Sequence, residues 1–236
     1  MGLAIITGGS RGLGAALCDQ YRGQGWKVIE FSRSAPHSFS VRLDLSDPLG
    51  AAQLFAEALE SLAALDAPEV VAINNAAVLA PVGPVERSSP AEIAGHLDVN
   101  VVSSILFARA FVAAFQEHAC PKTFVTISSG AASKGYAGWS LYCASKAALE
   151  NYVRAVALEQ AARLHPVRAI SINTGVMDTA MQATVRGSSI EDFPELERFL
   201  GLHREGRLSP PSLVASRIAE IVRARPEPGG VYAVSR

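Results

Sequence analysis

Cysteine is scarce in this sequence. Three residues, Cys18, Cys120 and Cys143, lie far apart without a Cys-x-x-Cys pair. That excludes a disulfide framework and points to a reduced, cytoplasmic compartment. Histidine is nearly as sparse: His37, His96, His118, His165 and His203 show no i, i+4 pairing, so no metal site is expected. A charge excess of either sign is missing. Lys and Arg total 21 against 22 Asp and Glu, which leaves no basic field for nucleic acid and no acidic tail. Charged residues make up only 18% and apolar residues 49%, so disorder is excluded as a global description. No targeting segment is expected, because the first apolar run starts at Leu3 and meets a glycine-rich turn at Gly8. The longest apolar stretch, 99–115, is broken by Arg109 and two serines, so no membrane span or membrane partner is expected.

What is present is an alternation of strand-like and helical patterns along 236 residues, a size compatible with one α/β domain. Short apolar runs at 3–7, 26–32, 40–43, 70–74, 123–128, 167–173 and 230–234 read as strands. Helical spacing covers 12–23, 48–64, 99–117, 141–164 and 211–224, with a further helix opening at Pro90 behind a Ser89 cap. This predicts βαβ units: an α/β class, doubly wound, Rossmann-like single domain over 1–236, with a mostly parallel seven-stranded sheet and helices on both faces. No linker or repeat divides the chain. The least regular stretch, 175–207, is polar and holds Gly187, Pro194, Gly201 and Gly206. An excursion of that length is more often functional than idle.

The run Thr7-Gly8-Gly9-Ser10-Arg11-Gly12-Leu13-Gly14 sits between the first strand and the first helix. Glycines at 8, 12 and 14 let backbone approach a pyrophosphate, which the helix N-terminus then attracts. Eighteen residues after Gly14 the second strand ends in Ser32-Arg33, where an NAD-binding chain places a carboxylate. Neutral Ser32 with cationic Arg33, and Arg11 in the turn, suit a 2′-phosphate and hence NADP(H). Glu30 is the opposing candidate. It shares a strand face with Ser32, and a shifted register would bring it to the ribose.

Tyr142 and Lys146 lie four apart, on one face of a helix. An ammonium about 4 Å from a phenol, at an effective dielectric near 20, contributes roughly 4 kcal/mol towards the phenolate. The pair therefore reads as a tuned acid/base, with Lys146 lowering the tyrosine pKa. Ser129 follows the fifth strand, at the sheet edge where open α/β folds bind ligands; Ser128 is the alternative. Asn74-Asn75-Ala76-Ala77 closes the fourth strand at the same edge, and Asn100 lies among valines early in the next long helix.

Together, Thr7-Gly-x3-Gly-x-Gly, Asn74-Asn-Ala-Ala, Asn100, Ser129 and Tyr142-x3-Lys146 resemble the short-chain dehydrogenase/reductase family over essentially the whole chain. The resemblance implies hydride transfer with a nicotinamide and a catalytic set of Asn100, Ser129, Tyr142 and Lys146. It gives Tyr142 the proton-donor role, Ser129 carbonyl polarisation, Lys146 the nicotinamide ribose and Asn100 a proton relay. It implies cofactor contacts at Gly8, Ser10, Arg11, Gly12, Leu13, Gly14, Ser32, Arg33, Asp44 and Leu45. Further contacts are implied at Asn75, Ala76, Ala77, Tyr142, Lys146, Gly175, Val176 and Thr179. The segments 138–143 and 175–182 look like the sepiapterin reductase branch, including its benzil-reductase-like members. Two departures stand out: Thr174 where the family usually has proline, and no Asp or Glu after Glu227, which leaves a pterin without its counter-charge.

On this resemblance 175–207 is a substrate lid, with Ser129, Trp139, Tyr142, Met177 and Met181 facing the substrate. Met177, Met181, Phe193, Phe199 and Leu200 either contact that substrate or pack the lid down. Cys143 reads as a packing residue, since no histidine is near it in sequence to activate it. The expected activity is NADPH-dependent reduction of a ketone, α-diketone or pterin-like carbonyl. The alternatives are an NAD-linked alcohol dehydrogenase and a non-catalytic dinucleotide sensor. A homodimer or homotetramer is implied, with Ile105, Phe107, Phe111 and Phe115 serving either a two-fold interface or the core.

Overall fold

The computed structural model describes residues 1–234. Its sheet begins with β1 (Leu3–Thr7), whose five residues are all buried. Side chains of alternate strand residues enter opposite layers. Leu3 and Ile5 join one core cluster, Ala4 and Ile6 the other. After helix α1 (Gly12–Gly23) come β2 (Lys27–Ser32), β3 (Ser40–Arg42) and helix α2 (Pro48–Ala63). The chain then crosses to β4 (Val70–Asn74) on the far side of β1. Helices α3 (Pro90–Leu97) and α4 (Ser103–Phe115) follow, joined by a wide π-turn over Asp98–Val102. The remaining elements are β5 (Lys122–Ser128), α5 (Ser140–Gln160), β6 (Val167–Asn173), α6 (Ala180–Arg186), α7 (Leu196–Arg204), α8 (Pro211–Arg223) and β7 (Val231–Ala233).

All six strand pairings are parallel, in the order β3-β2-β1-β4-β5-β6-β7. The order reverses between β1 and β4, which opens a crevice at the carboxyl ends of these two strands. Helices α1 and α8 pack on one face of the sheet. Helices α2 and α4, with Tyr152 of α5, cover the other. The predicted doubly wound Rossmann-like architecture is therefore the one observed.

Several local readings change. The stretch 175–207 is not irregular: it carries α6 and α7, which glycine and proline punctuation conceals in the sequence. The helix predicted over 99–117 is α4 preceded by the π-turn. With α3 it forms one continuous run, Pro90–Phe115, long and apolar enough by length and composition to cross a membrane. Its aromatic residues face the sheet instead. Phe107 packs against Phe31, Phe55 and Phe124, and Phe111 against Phe115 and Phe124. Phe107, Phe111 and Phe115 are fully buried, so these three serve the core and only Ile105 stays half-buried. Helix α5 ends at Gln160, short of the predicted 164, where the Gln160 side chain accepts from the Val167 N–H at 2.9 Å as the chain turns into β6.

Helix ends distinguish structure from function. Asp47 caps α2 by accepting from the Gly50 N–H, and Ser89 and Glu92 form a reciprocal capping box on α3. Helix α1 has no side-chain cap. Its free N–H groups point to the crevice.

The phenylalanine cluster yields a direct test. Phe107→Ala removes a fully buried ring held by three others, so urea denaturation should show a loss of about 3–5 kcal/mol. A loss below about 1 kcal/mol would contradict this packing.

Candidate active site

The glycine turn is held by buried polar groups from three strands. Thr7 Oγ1 accepts from the N–H groups of Asn75 (3.0 Å) and Ala76 (3.1 Å). The Asn75 amide donates to the carbonyls of Thr7 (3.0 Å) and Gly8 (3.2 Å). Asn75 thus staples the turn to the end of β4. Gly8 (φ +72°) and Gly12 (φ +57°) take left-handed backbone, and a Cβ on Gly14 would lie 2.0 Å from the Gly8 carbonyl oxygen. Leu13 sends its side chain into the core, leaving only its backbone for a ligand. Thr179 lies over the turn, 3.6 Å from where a Gly12 Cβ would stand. Its neighbours Gly175 and Val176 therefore arrive from the end of β6 at the same crevice.

Glu30 has a different task from binding a ribose. It is fully buried; its carboxylate accepts from the Gly9 N–H (3.1 Å) and from the Ser32 hydroxyl (3.0 Å). Both of its oxygens are thus engaged inside the fold. Ser32 is affected too. Its proton goes to Glu30 and its oxygen accepts from the Ala35 N–H at 3.1 Å. Arg11 and Arg33 are exposed on either side. Asp44 accepts from the Ser46 N–H and hydroxyl, and with Arg33 near, its carboxyl pKa lies below the ordinary value. Leu45 packs, half-buried, against the α2 layer.

An uncapped helix N-terminus, a turn that tolerates no Cβ and two flanking guanidiniums fit a dinucleotide. Ser129 follows the carboxyl end of β5, and Tyr142 and Lys146 stand beside it on α5.

The two serines after β5 separate cleanly. Ser128 donates to Glu150 on α5 at 2.6 Å and faces inwards. Ser129 accepts from the Ala131 N–H (3.2 Å), and its hydroxyl lies close enough to that of Tyr142 to influence its titration. Tyr142 is 8% exposed beneath the lid. Burial pushes its pKa up to about 12, with the Ser129 hydrogen bond pulling the other way. Lys146 is buried, and desolvation lowers its pKa to about 8. Its ammonium donates to the Ile127 carbonyl at 2.8 Å and stands 5.6 Å from the Tyr142 ring centre. The expected lowering of the tyrosine pKa by Lys146 is thus overturned in the cofactor-free chain. Desolvation dominates the shift of both groups, and the phenol keeps its proton at neutral pH.

Asn100 occupies the π-turn. Its amide accepts from the Val78 N–H and donates to the Val78 carbonyl, both at 2.8 Å. It also meets His96 at 3.0 Å and the Ser145 hydroxyl at 3.4 Å. His96 and Ser145 escaped the sequence reading, although the i, i+4 spacing of His96 and Asn100 was visible there.

The lid is closed on the body. Trp139 stacks on Phe193 (4.4 Å between centres, 9° between planes) and meets Phe199 edge-on. At 6% exposure Trp139 serves packing, as do Phe193 and Phe199. Gly138 (φ +81°) must be glycine, since a Cβ there would lie 2.0 Å from the Asp192 carbonyl oxygen. Met181, Leu200 and Cys143 line the same cluster, half-buried. Met177 turns instead towards the α1–α8 layer.

The family profile described as short chain dehydrogenase matches residues 2–189. The chain is 36% identical over 237 aligned positions to a benzil reductase ((S)-benzoin forming) of Bacillus subtilis (strain 168), covering 98% of each chain. It is 33% identical over 216 positions to the sepiapterin reductase of Mus musculus, covering 82% of this chain and 80% of that one. The solved KRED1-Pglu enzyme superposes with a TM-score of 0.84 at 28% identity, covering 98% of this chain and 100% of that one.

Burial of Lys146 has a measurable consequence. Its folded pKa of about 8 lies below the ordinary 10.5, so between these values the unfolded chain holds a proton that the folded chain has released. The stability it contributes therefore rises with pH across that window, by on the order of 3 kcal/mol. The unfolding free energy of the cofactor-free wild type minus that of Lys146→Met should rise from pH 7 to pH 10. A flat difference would contradict the burial.

Proposed function

The chain belongs to the short-chain dehydrogenase/reductase family, and on that premise we propose that it is an NADPH-dependent reductase of ketones and α-diketones. One observation carries this reading: buried Tyr142 stands next to Ser129, with the Lys146 ammonium 5.6 Å from its ring, at the mouth of the dinucleotide crevice.

The residues divide the work. Backbone N–H groups of the glycine turn and α1 hold the pyrophosphate. Arg11 and Arg33 take the 2′-phosphate, and Asp44 the adenine. Ser32, its proton committed to Glu30, shapes that pocket without donating to it. NADPH, when bound, supplies hydride to the carbonyl carbon. Ser129 polarises the carbonyl oxygen, and Tyr142 gives it a proton as negative charge develops there. Lys146 titrates at about 8, close enough to neutrality to return a proton to Tyr142. Asn100 anchors the relay. Half-buried Met181 and Leu200 offer an apolar wall to an aromatic diketone. The likeness to benzil reductases supports a diketone.

Benzil with NADPH should be turned over, read as loss of NADPH absorbance. Tyr142→Phe should lower kcat by about a thousandfold with NADPH affinity unchanged. No turnover by the wild type across a panel of ketones and diketones, with nucleotide bound, would overturn the reading. Arg33→Ala should weaken NADPH about tenfold to a hundredfold while leaving NADH nearly untouched. Tighter binding of NADH than NADPH by the wild type would move the assignment to an NAD-linked dehydrogenase.

A further inference from the structure

We infer that His96 is a positioning residue for Asn100: its neutral imidazole orients the amide on which the relay depends. The inference rests on the catalytic reading above and extends it to a residue outside the implied set.

Hydrogen-bond chemistry fixes the orientation of every group. The Val78 N–H requires the amide oxygen of Asn100, and the Val78 carbonyl requires the amide nitrogen. Asn100 Nδ2 therefore faces His96 Nε2 as a donor at 3.0 Å. On the other side of the ring, Nδ1 lies 2.8 Å from the Ala80 carbonyl, which can only accept. The single arrangement that satisfies both contacts is the neutral tautomer with the proton on Nδ1. The amide has two hydrogens. Val78 and His96 take them at the shorter distances, and Ser145 sits farther off at 3.4 Å.

The surroundings keep the ring neutral. His96 is 2% exposed, and its pKa lies below the ordinary value, chiefly through burial. The Ala80 and Leu141 carbonyls beside the ring favour its protonated form, and burial outweighs them. Lys146 on α5 is the charge that opposes protonation, and loop 78–80 brings no titratable group. Protonation would set an N–H on Nε2 against the amide N–H of Asn100. Two donors cannot share that contact, so acid should release Asn100 from its place.

Two variants separate positioning from mere packing. His96→Gln can place an amide oxygen near the Nε2 position, whereas His96→Phe keeps the volume and loses both polar partners. The side-chain amide resonances of Asn100 can be followed by NMR in the cofactor-free protein. They should move in step with the His96 titration in the wild type and should not titrate in His96→Gln. In turnover, His96→Phe should lower kcat about tenfold to a hundredfold, with KM for NADPH changed less than about twofold. His96→Gln should restore most of kcat and lose the acid limb of the wild-type pH profile.

The inference is overturned if the Asn100 resonances ignore His96 protonation, or if the acid limb persists in His96→Gln. Full kcat in His96→Phe would also overturn it. Should His96→Phe fail to fold, the His96→Gln profile decides. Should the wild type reduce no carbonyl, the catalytic reading falls and the NMR titration alone decides whether His96 orients Asn100.

Discussion

Val78 presents a backbone N–H and a carbonyl beyond the end of β4, and the amide of Asn100 takes up both. Buried backbone groups of this kind cost about 1–3 kcal/mol each when left unpaired. The pairing thus fixes where the helix running from Pro90 to Phe115 must stand, and the π-turn widens the helix at the point of contact. From there the amide reaches Ser145, one residue before Lys146. The Ser145 hydroxyl also donates to the Tyr142 carbonyl at 2.8 Å. One side chain therefore registers three segments against each other: the loop after β4, the π-turn and the first turns of α5. If the amide moved, Tyr142 and Lys146 would lose the reference that aligns them with the glycine turn.

Burial sets the proton inventory of this edge. Isolated tyrosine and lysine side chains titrate close together. Under the lid they separate, with the phenol pushed up and the ammonium pulled down, because each loses solvation for its own charged form. The phenol is then a full proton donor at neutral pH, and the amine is close to titrating. Glu30 shows the opposite solution to the same constraint. Its buried carboxylate is satisfied by a backbone N–H and a hydroxyl, without a cation among the described contacts. That choice leaves the nearby arginines exposed and available.

Legibility followed the range of the interactions. Gly8, Gly12 and Gly14, like Tyr142 and Lys146, show in the sequence because their geometry is local to one turn. The alternation that divides Leu3 and Ile5 from Ala4 and Ile6 is equally local. The role of Glu30 could not be seen, because its partners, Gly9 and Ser32, are set by the register of β2 beside the glycine turn. The protonation of Tyr142 was misread because its burial comes from a lid some fifty residues later. The π-turn left no mark, since one extra residue in an apolar helix barely disturbs the spacing of its neighbours. Phe107, Phe111 and Phe115 could be seen as one face, but not as the face that meets the sheet.

The lid holds one of the two tryptophans of the chain. Trp139 is stacked on Phe193 with Tyr142 5.9 Å away, whereas Trp26 packs edge-on to Tyr21 near the opposite end of β1. The two indoles therefore sit in different surroundings, one against the lid and one against the body. The emission of Trp139 is tied to the separation of the lid from the body, and that of Trp26 to the body alone. A separation of the lid would strip Phe193 from Trp139 and leave the contact of Trp26 with Tyr21 as it is.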